Sequence, residues 1–126
     1  MPKVELDRAF LEQVYQGPDL EGFGRFVARA AVDDKFFVYA ERPATLGIVE
    51  QYQSDYDLGK VYYGHHLAGN WKILRQALRV AEANKVDHFL YPIRAGQVNT
   101  FELYDVLTRR YGFEPYQAVL VKRFLR

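Results

Sequence analysis

The chain of 126 residues carries 17 basic and 16 acidic side chains, is 49% apolar and 16% aromatic, and contains no cysteine. That composition excludes a disordered tail, disulfides, thiolate catalysis and cysteine-based zinc sites, and the near-neutral total gives no support to a nucleic-acid or membrane-surface role. No apolar run reaches the roughly 18 residues of a membrane span, and the opening MPKVELDRAF has no signal-peptide core, so one soluble, cytoplasmic domain covering residues 1–126 is expected.

Asp7 is placed to cap a helix running to about Gln16, with Leu6 and Leu11 as a hydrophobic staple and Phe10, Leu11 and Val14 on one face. Gly17-Pro18 stops it. From Asp19 to Val32, Phe23, Phe26, Val27 and Ala30 recur at helical spacing until Asp33-Asp34 breaks the period. Three stretches rich in β-branched and aromatic residues follow, Lys35–Glu41, Thr45–Gln53 and Lys60–Leu67. Joined by the turn-formers Arg42-Pro43-Ala44 and Ser54–Gly59, they predict an antiparallel meander.

After Gly69 the period becomes helical, with Asn70 as cap and Trp71, Leu74, Leu78 and Ala81 as an apolar stripe ending near Asn84. Val86–Ile93 has strand length, and a strand reached through a crossover helix lies parallel to the one before it. Asn99 and Glu102 fit a capping box for a helix that carries Phe101, Tyr104, Leu107 and Tyr111. Gly112 suits the left-handed position after that helix, and Pro115 prevents continuation. Tyr116–Phe124 reads as a last strand, and Lys3–Leu6 has the pattern of a short first one. The expected fold class is α/β (α+β), a mixed and mainly antiparallel sheet flanked by helices in the order (β)ααβββαβαβ.

That order, with Asn99-Thr100-Phe101-Glu102-Leu103-Tyr104 and the ending Tyr111-Gly112-Phe113-Glu114-Pro115, resembles the GNAT family of N-acetyltransferases. The resemblance covers nearly the whole chain as topology and the last third as motif. It implies transfer of an acetyl group from acetyl-CoA to a small-molecule or protein amine, with Leu67, Ala68, Gly69 and Asn70 cradling the pyrophosphate and backbone N–H groups near His66 polarising the thioester. Two departures stand out. The family's pyrophosphate loop carries more glycine than His65-His66-Leu67-Ala68-Gly69-Asn70 offers, and Thr108 stands at the position of the family's frequent general-acid tyrosine. Reduced versions of this kind resemble the acetyltransferase-like modules of some tailed bacteriophages. A catalytically inactive structural or interaction protein, in a virion or acting on a host protein, is therefore the rival expectation, and an unrelated mixed α/β binding domain is a third.

The chemistry legible in the residues is limited. Residues 71–126 hold ten basic and five acidic side chains against seven and eleven in residues 1–70, a bias that suits an anionic ligand and also arises from scatter on solvated faces. Free N–H groups and the helix dipole at Asn70 attract phosphate, and Lys72, Arg75 and Arg79 line one stripe of that helix, although any amphipathic helix needs such a polar side. His65 and His66, on one strand, are expected on opposite faces and so not as ligands of one metal. With His88 on the strand beyond the crossover, one of them is expected to flank the gap between the two strands. His66 or Glu50 is the base candidate, with an ordinary packed histidine or an exposed strand glutamate as the plain alternative. Tyr52, Tyr56, Tyr62 and Tyr63 would line an acceptor pocket, form an interface, or pack in the core. Pairing through the Tyr116–Phe124 edge would make a homo-oligomer. No Ser-His-Asp order, P-loop, dinucleotide-binding glycine set or His-Glu-x-x-His is present, and no metal is expected.

Overall fold

Asp7 starts α1 (Arg8–Val14) by accepting the Phe10 N–H at 2.8 Å, and Asp19 starts α2 (Leu20–Val32) in the same way through Gly22 N–H at 2.9 Å. Each carboxylate satisfies a donor that the first turn leaves without an intrahelical acceptor. The two helices bury Phe10, Leu11, Val14, Val27 and Ala30 against Ala40, Leu46 and Ile48 of the sheet. The computed structural model describes residues 6–94 and 100–125, and the chain divides after Pro92 into two compact units. The short strand expected at Lys3–Leu6 and the cap expected at Asn99 lie outside the described residues.

The first unit holds β1 (Phe36–Glu41), β2 (Thr45–Gln53), β3 (Lys60–Ala68), α3 (Trp71–Ala83) and β4 (His88–Leu90). The sheet order is β1-β2-β3-β4, antiparallel between the first three strands and parallel between β3 and β4. This is an α+β fold with a mixed, mostly antiparallel sheet. One sheet face lies under α1 and α2. The other carries α3, with Val49, Tyr62 and Ala81 buried together and Leu67, Ala77 and Phe89 packed around them. Beneath α3, Gly47 gives Ile73 room, since a Cβ there would come within 3.0 Å of its side chain.

Parallel pairing is brief. Val61, Tyr62 and Tyr63 face His88, Phe89 and Leu90, and the ladder stops there, so the strand expected over Val86–Ile93 shrinks to three residues. Asp87 fixes its start, accepting the Lys60 N–H at 2.8 Å and donating its own N–H to Lys60 O at 2.9 Å. Gly59, at φ +68°, leaves the space that the Asp87 carboxylate fills.

In the second unit α4 (Thr100–Arg110) has Glu102 in its first turn and Arg109 and Arg110 in its last, as the helix dipole favours. Gly112 takes φ +73° and the Phe113 N–H closes back on Leu107 O at 3.1 Å, so the expected helix ending is present. The last strand is not. Residues 112–125 contain no regular element, and Val119, Leu120 and Val121 are 80%, 94% and 80% exposed. A β-prone run becomes a strand only when a neighbouring strand bonds its backbone and covers one face, and none of the described strands pairs with it. The oligomer contact expected through that strand loses its basis with it. No helix among the described residues is long and apolar enough to cross a membrane.

Asp7 links the entry of α1 to Arg42 in the β1–β2 turn, whose guanidinium lies 3.0 Å from its carboxylate. The Phe10 N–H first, and Arg42 second, hold the Asp7 carboxyl below its ordinary range. A lowered carboxylate contributes stability that is present above the unfolded-chain pKa and is lost as pH falls through the folded value. Asp7→Asn keeps a capping oxygen but no titration, so its urea midpoint is expected to fall less than the native protein's below about pH 4. Parallel acid profiles of the two proteins would contradict the assignment.

Candidate functional site

A β-bulge decides what the middle of β3 presents. Glu50 pairs with Tyr63 and Val49 with Gly64, but Ile48 pairs with His66, so His65 is the extra residue. Before the bulge, Tyr62 and Gly64 face α3 and Tyr63 faces α2. Without it, His66 would turn under α3. With it, both adjacent histidines lie on the α1–α2 face, which corrects the expectation from simple alternation.

The two imidazoles then take different partners. His65 Nε2 lies 2.7 Å from Glu50 Oε1, each side chain being 29% exposed. Phe26, Phe36 and Tyr63 surround the His65 ring at centroid distances of 5.2, 5.7 and 4.7 Å. His66 packs on Phe23, which stacks on Tyr15 at the end of α1, and its Nε2 lies 2.8 Å from Val14 O. A carbonyl only accepts, so Nε2 of His66 carries the hydrogen and ties β3 to α1. Among the base candidates, Glu50 therefore lies against His65, and His66 packs on Phe23 and anchors β3 to α1.

The Glu50–His65 pair has the form of a directed base. A carboxylate receiving Nε2–H fixes the tautomer and the ring orientation and leaves Nδ1 as the open acceptor. His88 does not join them. It pairs with Val61 at the first step of the parallel ladder, four residues down β3 from His65, and its Nδ1 lies 2.6 Å from Leu58 O. The expected flanking of the strand gap by His88 is overturned, because the ladder opens beyond Tyr63, at the other end of β4.

Of the four residues expected to cradle a pyrophosphate, Leu67 and Ala68 are still strand, paired with Gly47 and Leu46, and the turn from β3 into α3 is Gly69 and Asn70 alone. Asn70 caps the Lys72 N–H through its side chain at 2.9 Å, as expected. Gly69 is at φ +128°, and a Cβ there would meet Thr45 Oγ1 at 2.7 Å and Thr45 Cα at 3.1 Å. Glycine at this position is thus required by its backbone angle and by close packing on the start of β2. Lys72, Arg75 and Arg79 are exposed on α3. Thr108, in the second unit, turns its hydroxyl onto its own helix, donating to Tyr104 O at 2.9 Å and Asp105 O at 3.2 Å. The tyrosines separate: Tyr62 is buried under α3 with Asn84 Nδ2 bonding its hydroxyl at 2.7 Å, Tyr63 walls His65, and Tyr56 is 92% exposed. Among the described residues no group of three or more His, Asp or Glu side chains could hold a metal ion.

If Glu50 and His65 act as a pair, their effects on stability are coupled. A double-mutant cycle of Glu50→Ala and His65→Ala in urea at neutral pH is expected to give a coupling of about 0.5–1.5 kcal/mol, the range of a single half-exposed hydrogen bond. Additive effects would show that the contact has no energetic content.

No family model, no curated protein and no solved structure matches this chain.

Proposed function

We propose that the protein transfers an acyl group from a coenzyme A thioester, acetyl-CoA in the simplest case, to an amine, on a GNAT-like fold. The observation that carries this reading is the carboxylate–imidazole pair at the β3 bulge, half-open to solvent, two residues beyond the point where β3 loses its parallel partner. Bulges re-aim side chains and end pairing at functional sites.

Glu50 would orient His65 through Nε2–H, and His65 Nδ1 would accept the proton that the amine sheds as the C–N bond forms; the C–S bond breaks, CoA leaves as its thiolate, and the proton passes from His65 or water to give free CoA thiol. Phe26, Phe36 and Tyr63 pack around the imidazole and hold its orientation. Beyond Tyr63 the side of β3 away from β2 carries no ladder among the described residues, and backbone N–H donors on such an edge would polarise a carbonyl without any special side chain. The end of β3 at Leu67 and Ala68, the Gly69-Asn70 turn, Lys72 and Arg75 suit a pyrophosphate, combining a capped helix start with two exposed cations. Acetyl-CoA supplies the activated acyl thioester. Thr108 has no part in this mechanism, since its hydroxyl is committed to the α4 backbone.

A second reading has its own support. The exposed run Val119–Val121 favours a non-catalytic interaction protein, virion or host-directed, that kept the fold without turnover. Calorimetry with acetyl-CoA, followed by thiol release in the presence of a panel of amines, separates the two. The expected result is saturable binding and turnover, with Glu50→Gln and His65→Ala each lowering turnover about 100- to 10,000-fold while binding heat persists. Absence of binding at millimolar acetyl-CoA would contradict the enzyme reading and leave the interaction protein.

A further inference from the structure

The outer strands of the sheet, among the described residues, are β1 and β4, and their edges are guarded differently. β4 is three residues long, and so short an edge offers little to pair with. β1 is six residues long, reads FFVYAE, and has no proline and no bulge in its pairing with β2. A cavity of about 900 Å³ follows β1 and touches both of its faces, at Phe36, Val38 and Ala40 on the α1–α2 side and at Phe37 and Tyr39 on the α3 side. Leu6, Ala30 and Ala31 wall it on the first side, and Ile73, Gln76 and Val80 on the second. A space that reaches both faces of one strand passes around its free edge, so the cavity is a slot alongside β1.

The backbone of β1 limits what fits there. Lys35 O takes the Gln51 N–H at 2.8 Å, and bonding direction alternates along an antiparallel strand. Lys35, Phe37 and Tyr39 therefore turn their backbone groups to β2, and Phe36, Val38 and Ala40 turn theirs to the slot, where the Phe36 N–H is already held by Asp33 O at 3.0 Å. A second β1 set antiparallel about Val38 matches what is left. Each Val38 would exchange N–H and C=O with the other, and each Ala40 N–H would meet a Phe36 carbonyl. On the α3 side Phe37 would face Tyr39 as an aromatic pair, and Lys35 would face Glu41. Both of these charges are exposed, and Glu41 has a second carboxylate oxygen to offer, the first holding the Tyr39 hydroxyl at 2.5 Å. One step farther, Asp34 would come beside Arg42, whose guanidinium also holds Asp7. Sliding the copy by two residues sets Glu41 against Asp33 in one direction and Lys35 against Pro43 in the other, so the register about Val38 is the one that pairs opposite charges.

We propose that the β1 edge is an interface with a second copy of this chain, the two β1 strands pairing antiparallel about Val38 and joining their sheets into one. Charge complementarity selects this occupant. Asp34 and Lys35 at one end of β1 complement Glu41 and Arg42 at the other, so the edge matches itself read backwards, as a closed two-fold interface requires. On the α2 side of the slot the exposed residue is Ala31, small enough to let the α2 helices of the two copies lie side by side. The proposal stands independently of acyl transfer.

The test is sedimentation of the purified chain, which is expected to show a monomer–dimer equilibrium in the micromolar range. Lys35→Glu and Glu41→Lys, with folding checked by circular dichroism, are each expected to weaken the dimer about tenfold, because each sets like charges against one another twice per dimer. An equimolar mixture of the two variants is expected to recover the native affinity, since both contacts of the mixed dimer again join opposite charges. Lys35 and Glu41 stand at opposite ends of β1, so no contact within one chain gives that rescue. A chain that stays monomeric at about 1 mM, a dimer indifferent to both variants, as pairing through Val119–Val121 would give, or a mixture no tighter than its parts would each overturn the proposal.

Discussion

One extra residue in β3, opposite the step from Ile48 to Val49, sets the faces of everything that follows it. Side chains alternate along a strand, so an unbulged β3 would send His66 beneath α3 and Leu67 toward α1 and α2. The bulge at His65 inverts the alternation in the middle of the strand. Tyr62 and Gly64 before it and Leu67 after it then face α3, and Tyr63 before it and His66 and Ala68 after it face α1 and α2. Both layers of the first unit depend on that inversion, and so does the approach of His65 to Glu50.

Two glycines tie the sheet to its connections. Gly59 leaves room for Asp87, which fixes where the short parallel ladder begins, and Gly69 lets the β3–α3 turn close on Thr45. The ladder is anchored at Asp87 and open beyond Leu90. That opening supports the reading of β3 as the strand that meets a thioester.

Much of this was legible in the sequence. Asp7 and Asn70 act as the caps their positions predict, the three-strand meander runs as read, and Gly112 ends α4 as expected. These are local features, governed by hydrogen bonds that close within a few residues. The errors arose where pairing is non-local. A bulge leaves little trace in composition, so His65 and His66 were assigned to opposite faces and the contact of His65 with Glu50 was not foreseen. The brevity of β4 and the absence of a strand at Tyr116–Phe124 depend on which edges find partners, which propensity alone does not encode. Glu50 was identified by its residue type and strand, but its partner depended on the bulge.

The central claim is that the bulge pairs His65 with Glu50 on the α2 face, and long-range proton–nitrogen NMR of the imidazoles tests it most directly. The account predicts His65 as the Nε2–H tautomer at neutral pH, with ring contacts to Phe26 and Phe36, and His66 in contact with Phe23. An Nδ1–H tautomer of His65, or contacts from His66 to Ile73 and Ala77, would show an unbulged strand and contradict it.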